Sequence, residues 1–391
     1  MFRDFSLSAA YMGLLAAFVG FVSSFAIVLA GLNAMGATSQ EAASGLMFSS
    51  ISMGVCGLLF AIFTRAPAAV AWSTHGAALL ASTAAMAGGF PEAVGGIIIC
   101  CILIVITGIV PALMRLIESI PKPIASALLA GVIFKLCLAP ALALGATPWL
   151  TLPILTAWVL GLRWSKLAAL PMSVAAFAAI LIYLAVSGDA RPAADLPPVA
   201  MPQIITPVFS IQAAISIALP LYLVTMAGQN IPGFTVLKMH NYEAPQAKLL
   251  NGTGIASLLT APLCAIPVNM SAVTAAMMAG EDAHRDPARR YWATIINGMA
   301  YIAFGIFAGA LVSSVSIAPT LLVTAVAGLA LLPALVGSAK AAFADADHLE
   351  SSAATFVITA SGMTLWSISG AFWGLVVGLI VWVTTRKQSS H

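Results

Sequence analysis

Two short polar clusters interrupt otherwise apolar stretches, and each follows a proline. Ser73-Thr74-His75-Gly76 comes after Pro67-Ala68-Ala69-Val70-Ala71-Trp72, and Asn269-Met270-Ser271 comes after Pro267-Val268. In both, a β-prone run ends at small polar residues and a short apolar helix is expected to begin. A helix N-terminus offers free N–H groups and a partial positive charge. Two of them facing each other form a site for an anionic group such as a carboxylate, and Ser73, Thr74 and Ser271 can add hydroxyl donors. The same pattern also fits kinked helices that Ser and Thr merely cap. A third cluster, Gln229-Asn230, stands just before Pro232-Gly233, which break a helix. Two amides beside a break read as ligand contacts or as interhelical glue. Ser23 and Ser24 hold the matching place in the first apolar stretch.

Titratable groups among these residues are few. His75 sits at a helix start and titrates near neutrality, which makes it a candidate proton carrier; a neutral, hydrogen-bonded imidazole fits as well. Glu281 opens the run Glu281-Asp282-Ala283-His284-Arg285-Asp286-Pro287. That run fits a solvated loop, a capping network or an inner access point for protons, and Glu281 is the second coupling candidate. Lys135 is expected near the outer end of its helix, where its ammonium can snorkel. Metal motifs and nucleophile elbows are absent from the sequence, so no metal or other cofactor is expected.

The elements holding these clusters must lie in a membrane. Hydrophobic residues are 61% of the 391 and charged residues 7%, with a mean hydropathy of +1.04. A soluble surface needs about 25% charged residues, so this chain faces hydrocarbon. No basic run suggests nucleic acid. The five cysteines, Cys56, Cys100, Cys101, Cys137 and Cys264, all lie in apolar stretches and read as small core residues, not a disulfide framework. A spanning helix needs about 20 apolar residues, and that window finds about fourteen segments. They are 9–31, 43–63, 68–87, 92–114, 122–140, 147–162, 167–187, 209–237, 246–265, 267–280, 288–313, 317–337, 351–366 and 367–385. The first is expected to be a retained helix, not a signal peptide.

Charge tests the count. With both termini cytoplasmic, the inner loops hold Arg3, Arg65, Arg115, Lys122, Arg163, Lys166, Lys238, Lys248, Arg285, Arg289, Arg290, Lys340, Arg386 and Lys387. Arg191 and Lys135 alone remain outside that set, as the positive-inside rule requires. The proline-rich stretch 189–207 divides the chain, and a shift of about 205 positions lays 36–42 over 241–247 and Ser23-Ser24 over Gly228-Gln229. Seven segments per half is odd, so the halves insert upside down, as in secondary transporters. The expected architecture is all-α, in a 7+7 inverted repeat, with short β-strands and half-helices in segments 3 and 10.

Three stretches carry a family resemblance. They are 67–80 (PAAVAWSTHGAALL), Ala227-Gly228-Gln229-Asn230-Ile231-Pro232-Gly233, and 269–276 with Gly280-Glu281-Asp282-Ala283-His284 and Arg289-Arg290-Tyr291. The chain resembles the benzoate/proton symporter family of bacterial inner-membrane proteins over nearly its whole length. That resemblance implies uptake of benzoate or a similar aromatic carboxylate with protons, and the fold of uracil-permease-like transporters. It also implies a core domain (1–118 and 205–314) and a gate domain (119–188 and 315–391). Uracil-permease-like transporters place acidic residues in helices 8 and 10, where this chain has Gln229, Asn230, Asn269 and Ser271. An anionic substrate would be repelled by a carboxylate there, so the change is physically consistent, and it leaves the coupling residue unassigned.

The resulting expectation is a secondary active transporter. The carboxylate lies at Ser73–Gly76 and Asn269–Ala272, including Met270, with Gln229, Asn230, Ser23 and Ser24 nearby and Phe25 and Trp72 packing on the ring. Gly370, Gly374 and Gly378 are spaced for close helix contact, and a homodimer is one use of that spacing. Two rivals stand: a channel or exchanger for another small anion or a nucleobase, and an intramembrane enzyme such as a prenyltransferase, for which Asp345-Ala346-Asp347 would be one aspartate pair.

Overall fold

The computed structural model describes residues 4–83, 85–165, 168–188, 194–366 and 368–385. The basic residues Arg3, Lys166, Arg191, Arg386 and Lys387 lie outside them. The first apolar segment is two helices, α1 (Leu7–Val22) and α2 (Phe25–Ala34), broken at Ser23-Ser24. Then come α3 (Ser39–Thr64), β1 (Val70–Trp72), α4 (Thr74–Ser82), α5 (Gly89–Ile109), α6 (Pro111–Glu118), α7 (Lys122–Ala146), α8 (Pro148–Trp164) and α9 (Ala169–Ser187). After an extended linker follow α10 (Ile211–Met239), α11 (Gln246–Thr260), β2 (Val268–Met270), α12 (Ala272–Ala279), α13 (Tyr291–Ile306) and α14 (Ala308–Ser316). The chain closes with α15 (Thr320–Ala342), α16 (Leu349–Ser361), a two-stranded turn (β3 Thr364–Leu365, β4 Ile368–Ser369) and α17 (Gly370–Thr385).

Each apolar segment expected from the sequence coincides with a helix, a helix pair or a strand–helix unit. Among the described residues, seven helices are long and apolar enough to cross a membrane, or eight if the bent pair of α13 and α14 is one span. The protein is a multi-pass helical membrane protein. Its helix starts follow local chemistry: Thr38 and Glu41 form a capping box at α3, and prolines open α6 and α8.

Packing sorts the helices into two groups. α3 lies along α13, α1 along α13, α11 along α5, and α2 along α4; α7 packs on α15 and α16, α16 on α17, and α8 on α9. The groups meet where α4 and α10 touch α7 and where α2 touches α15. Close approach is built from glycine: a Cβ on Gly298 of α13 would stand 2.6 Å from the carbonyl oxygen of Gly54 of α3. The linker is pinned down, with Gln203 N bonded to Ser44 Oγ at 3.0 Å, Ile205 N to Pro262 O at 2.8 Å and Val208 N to Pro91 O at 3.0 Å.

Two sequence expectations change. Lys135 sits mid-helix in α7, and its ammonium lies against Gly362, the left-handed C-cap of α16 (φ +61°). There the partial negative charge of a helix end favours a cation. Gly370, Gly374 and Gly378 face Thr355, Thr359 and other backbone of α16 in the same chain. The small-residue seam therefore closes the α16–α17 hairpin and is not free for a second copy.

Candidate functional site

The two polar clusters meet at a strand pair. β1 and β2 run antiparallel, with Val70 opposite Met270, Ala71 opposite Asn269 and Trp72 opposite Val268. Two further bonds extend the ladder, Ser73 N to Pro267 O at 2.7 Å and Ser271 N to Ala69 O at 3.0 Å. Pro67 and Pro267 keep the chain extended before each strand, and pairing supplies the partners that non-helical backbone needs inside a membrane.

Each strand runs straight into a helix through a serine cap. Ser73 Oγ accepts from Gly76 N at 3.1 Å, and Ser271 Oγ accepts from Thr274 N at 3.4 Å. With 9 and 8 residues, α4 and α12 are each roughly 12–14 Å long, less than half of a hydrocarbon core. Because the strands are antiparallel, the two N-termini lie at opposite ends of the short ladder, Ser73 beside Pro267 and Ser271 beside Ala69, and the helices leave in opposite directions. The amides of Thr74 and His75, and of Ala272 and Val273, have no acceptor within their own helices.

α10 supplies the third side. It carries π-helical turns at Ala214–Ala218 and Met226–Asn230; the second widens the helix where Gln229 and Asn230 turn toward β2, a common device at functional sites. Gln229 Oε1 accepts from Asn269 Nδ2 at 2.7 Å. Asn230 Oδ1 accepts from Met270 N at 2.9 Å, and its Nδ2 contacts Met226 Sδ at 3.3 Å. One turn earlier, the Thr225 hydroxyl shares a 2.7 Å bond with Ser73 Oγ. Gly233 lets Met270 approach, since a Cβ there would lie 2.7 Å from the Met270 Cβ. Asn269 Oδ1 and His75 Nδ1 are buried without a partner, the latter facing Gly228.

The break in the first helix lies behind the strands. Ser24 Oγ accepts from Trp72 Nε1 at 2.8 Å, and Ser23 Oγ donates to Gly20 O at 3.1 Å. Trp72 is 1% exposed and Phe25 4%, both packed on Phe21, with ring centroids 5.2 Å and 6.2 Å away. Thr74, His75 and Gly228 are partly exposed where α4 and α10 meet α7. Nearer the far end of α4, a cavity of about 420 Å³ separates Leu29, Ala30 and Ala81 from Leu136, Val323 and Thr324.

The structure thus brings together Ser73, Thr74, His75, Gly76, Gln229, Asn230, Asn269, Met270 and Ser271, backed by Ser24, Phe25 and Trp72. Glu281 is not among them: it is exposed in the turn after α12, roughly 12 Å along that helix from its start. The sequence pattern gives Thr225 no role of its own; a threonine one turn before Gln229 is its signal. Glu92, the first residue of the expected span 92–114, is 6% exposed. Its carboxylate accepts from Gly88 N at 2.7 Å and from Ser210 Oγ, tying α5 to the start of α10. Among the described residues no group of His, Cys, Asp and Glu is arranged to hold a metal.

The model of one protein family, benzoate membrane transport protein, matches residues 3–384. The inner membrane protein YdcO of Escherichia coli (strain K12) is 34% identical over 371 residues, covering 95% of this chain and 94% of that protein. The benzoate membrane transport protein of Acinetobacter baylyi is 31% identical over 393 residues, covering 99% and 98%. Among solved structures, the transmembrane domain of the cyanobacterial bicarbonate transporter BicA aligns with a TM-score of 0.62 at 15% identity, covering 97% of this chain and 98% of that one. SLC26A9 aligns at 0.60 and 12%, covering 96% of this chain and 65% of that one. These two likenesses are of fold.

Proposed function

The chain belongs to the benzoate membrane transport protein family, and from that premise we propose that it imports benzoate or a similar aromatic monocarboxylate by proton symport. The observation that carries this reading is the strand pair, which sets two half-helix N-termini and two buried amides in one uncharged place. The carboxyl group lies between the N-termini of α4 and α12, with Thr74, Ser271 and the Gln229–Asn269 pair around it. Phe25 and Trp72 form the floor on which the ring packs as the helix groups part. His75 and Glu281 are the protein's candidate proton carriers, and only His75 is placed to touch the substrate.

The two helix groups correspond to a core (1–118 and 205–314) and a gate (119–188 and 315–391). Movement of one against the other would expose the site to each side in turn, with the 420 Å³ cavity as one approach. Fourteen crossings, two inverted halves, both termini cytoplasmic and an inner-membrane location complete the proposal. A homodimer, if formed, uses a surface other than the α16–α17 seam.

Single changes at Ser73, Gln229 and Asn269, purified and shown to be folded, test the site. Loss of labelled benzoate uptake is expected in each; full uptake in all three would remove the assignment.

A further inference from the structure

The site has an acceptor to spare. Asn269 is 0% exposed; its Nδ2 donates to Gln229 and its Oδ1 has no partner. His75 Nδ1 is also buried and unpaired, facing Gly228. A buried acceptor left unmade costs roughly 1–3 kcal/mol, which a donor on the ligand would remove. A carboxylate has no such donor, whereas a carboxylic acid has one O–H. Nor do the three clusters hold a cation: none of residues 73–76, 229–230 and 269–271 is Lys or Arg.

Resting on the transport reading above, we infer that the species bound and carried is the neutral acid. Its carbonyl oxygen takes free amides at one of the two helix N-termini, and its O–H donates to Asn269 Oδ1. The substrate then brings its own proton. A carboxylate gains one proton outside, the acid crosses, and the proton leaves inside, so one proton moves with each substrate and no carboxylate of the protein is needed.

Other titratable groups on the surrounding elements face elsewhere. On α10, Tyr222 bonds Thr107 and Lys238 is exposed. On α5, Glu92 holds Gly88 and Ser210, and Cys100 and Cys101 are buried thiols. On α3, Cys56 contacts Gly252 O and Glu41 caps the helix start. On α7, Lys122 and Lys135 are exposed and Cys137 is half-buried; Lys248 of α11 is exposed. Tyr301 of α13 lies against Gly20 in α1. His75 is the one rival for the proton. Turning both amides over would keep the Gln229–Asn269 bond and present an N–H instead, the arrangement an anion needs.

Binding of labelled benzoate to the purified full chain, without any gradient, separates these arrangements. If the acid binds, half-saturating total benzoate rises about tenfold per pH unit above the carboxyl range near pH 4. Benzamide, a neutral isostere with both donor and acceptor, competes with a pH-independent affinity, and benzenesulfonate, a permanent anion, does not. Whatever affinity His75→Gln keeps follows the same slope. A flat profile, competition by benzenesulfonate but not benzamide, or a slope that vanishes in His75→Gln would overturn the inference and leave the transport reading standing. Folded protein that binds no benzoate at any pH would overturn both.

Discussion

The site rests on a few hydrogen bonds between residues far apart in sequence, and each can be removed singly. Thr225→Val keeps volume and deletes the hydroxyl that holds Ser73 Oγ at 2.7 Å. The expected outcome is a loss of about 1 kcal/mol of stability, read from thermal unfolding, and weaker benzoate binding. Asn269→Leu takes away the donor to Gln229 Oε1 and strands that amide in a buried site. Uptake is expected to fall at least about tenfold, with about 1–3 kcal/mol lost in stability. Such pairings were not readable in the sequence. Ser73 lies 152 positions from Thr225, and no local pattern records which turn of α10 will face β1. The residue types were readable, because polar groups in apolar runs are few and each needs a partner.

At the scale of elements, the sequence showed the strand–helix units plainly and the breaks less so. Pro67 and Pro267, each followed by an apolar run and then a serine, mark an extended segment ending in a helix cap, and β1–α4 and β2–α12 follow. The break at Ser23-Ser24 has no proline or glycine to announce it; it is stabilised by Trp72 from another segment. The π-turns of α10 and the pairing of the Gly370–Gly378 stripe with α16 are likewise set by neighbours. Two substitutions test these contacts. Gly233→Ala places a Cβ 2.7 Å from the Met270 Cβ, pushing α10 off β2. The expected cost is about 1–3 kcal/mol of stability and most of the uptake. Gly374→Leu drives side-chain bulk into Thr359 and into the Thr355 carbonyl 2.8 Å away. It should lower the unfolding temperature while leaving the oligomeric state unchanged on a sizing column; a changed state would return the seam to an interface.

For the whole molecule, composition alone placed the chain in a membrane, and each apolar segment found an element. Composition did not show which helices travel together. That grouping comes from helix packing such as that of α7 on α15 and of α3 on α13, which pairs the first half of the chain with the second. If the two groups are core and gate, tying them together must stop transport. Cysteines replacing Ala30 and Val323, on opposite walls of the cavity, joined by a short bis-maleimide, should abolish uptake that the unlinked double variant retains. At the same scale stands the proposal that this chain carries benzoate with protons. It is tested most directly by labelled benzoate uptake into proteoliposomes, with and without an inward proton gradient. The account predicts accumulation above the outside concentration that collapses when a protonophore is added. Equal uptake with and without the gradient, or none by folded protein under either condition, would contradict it.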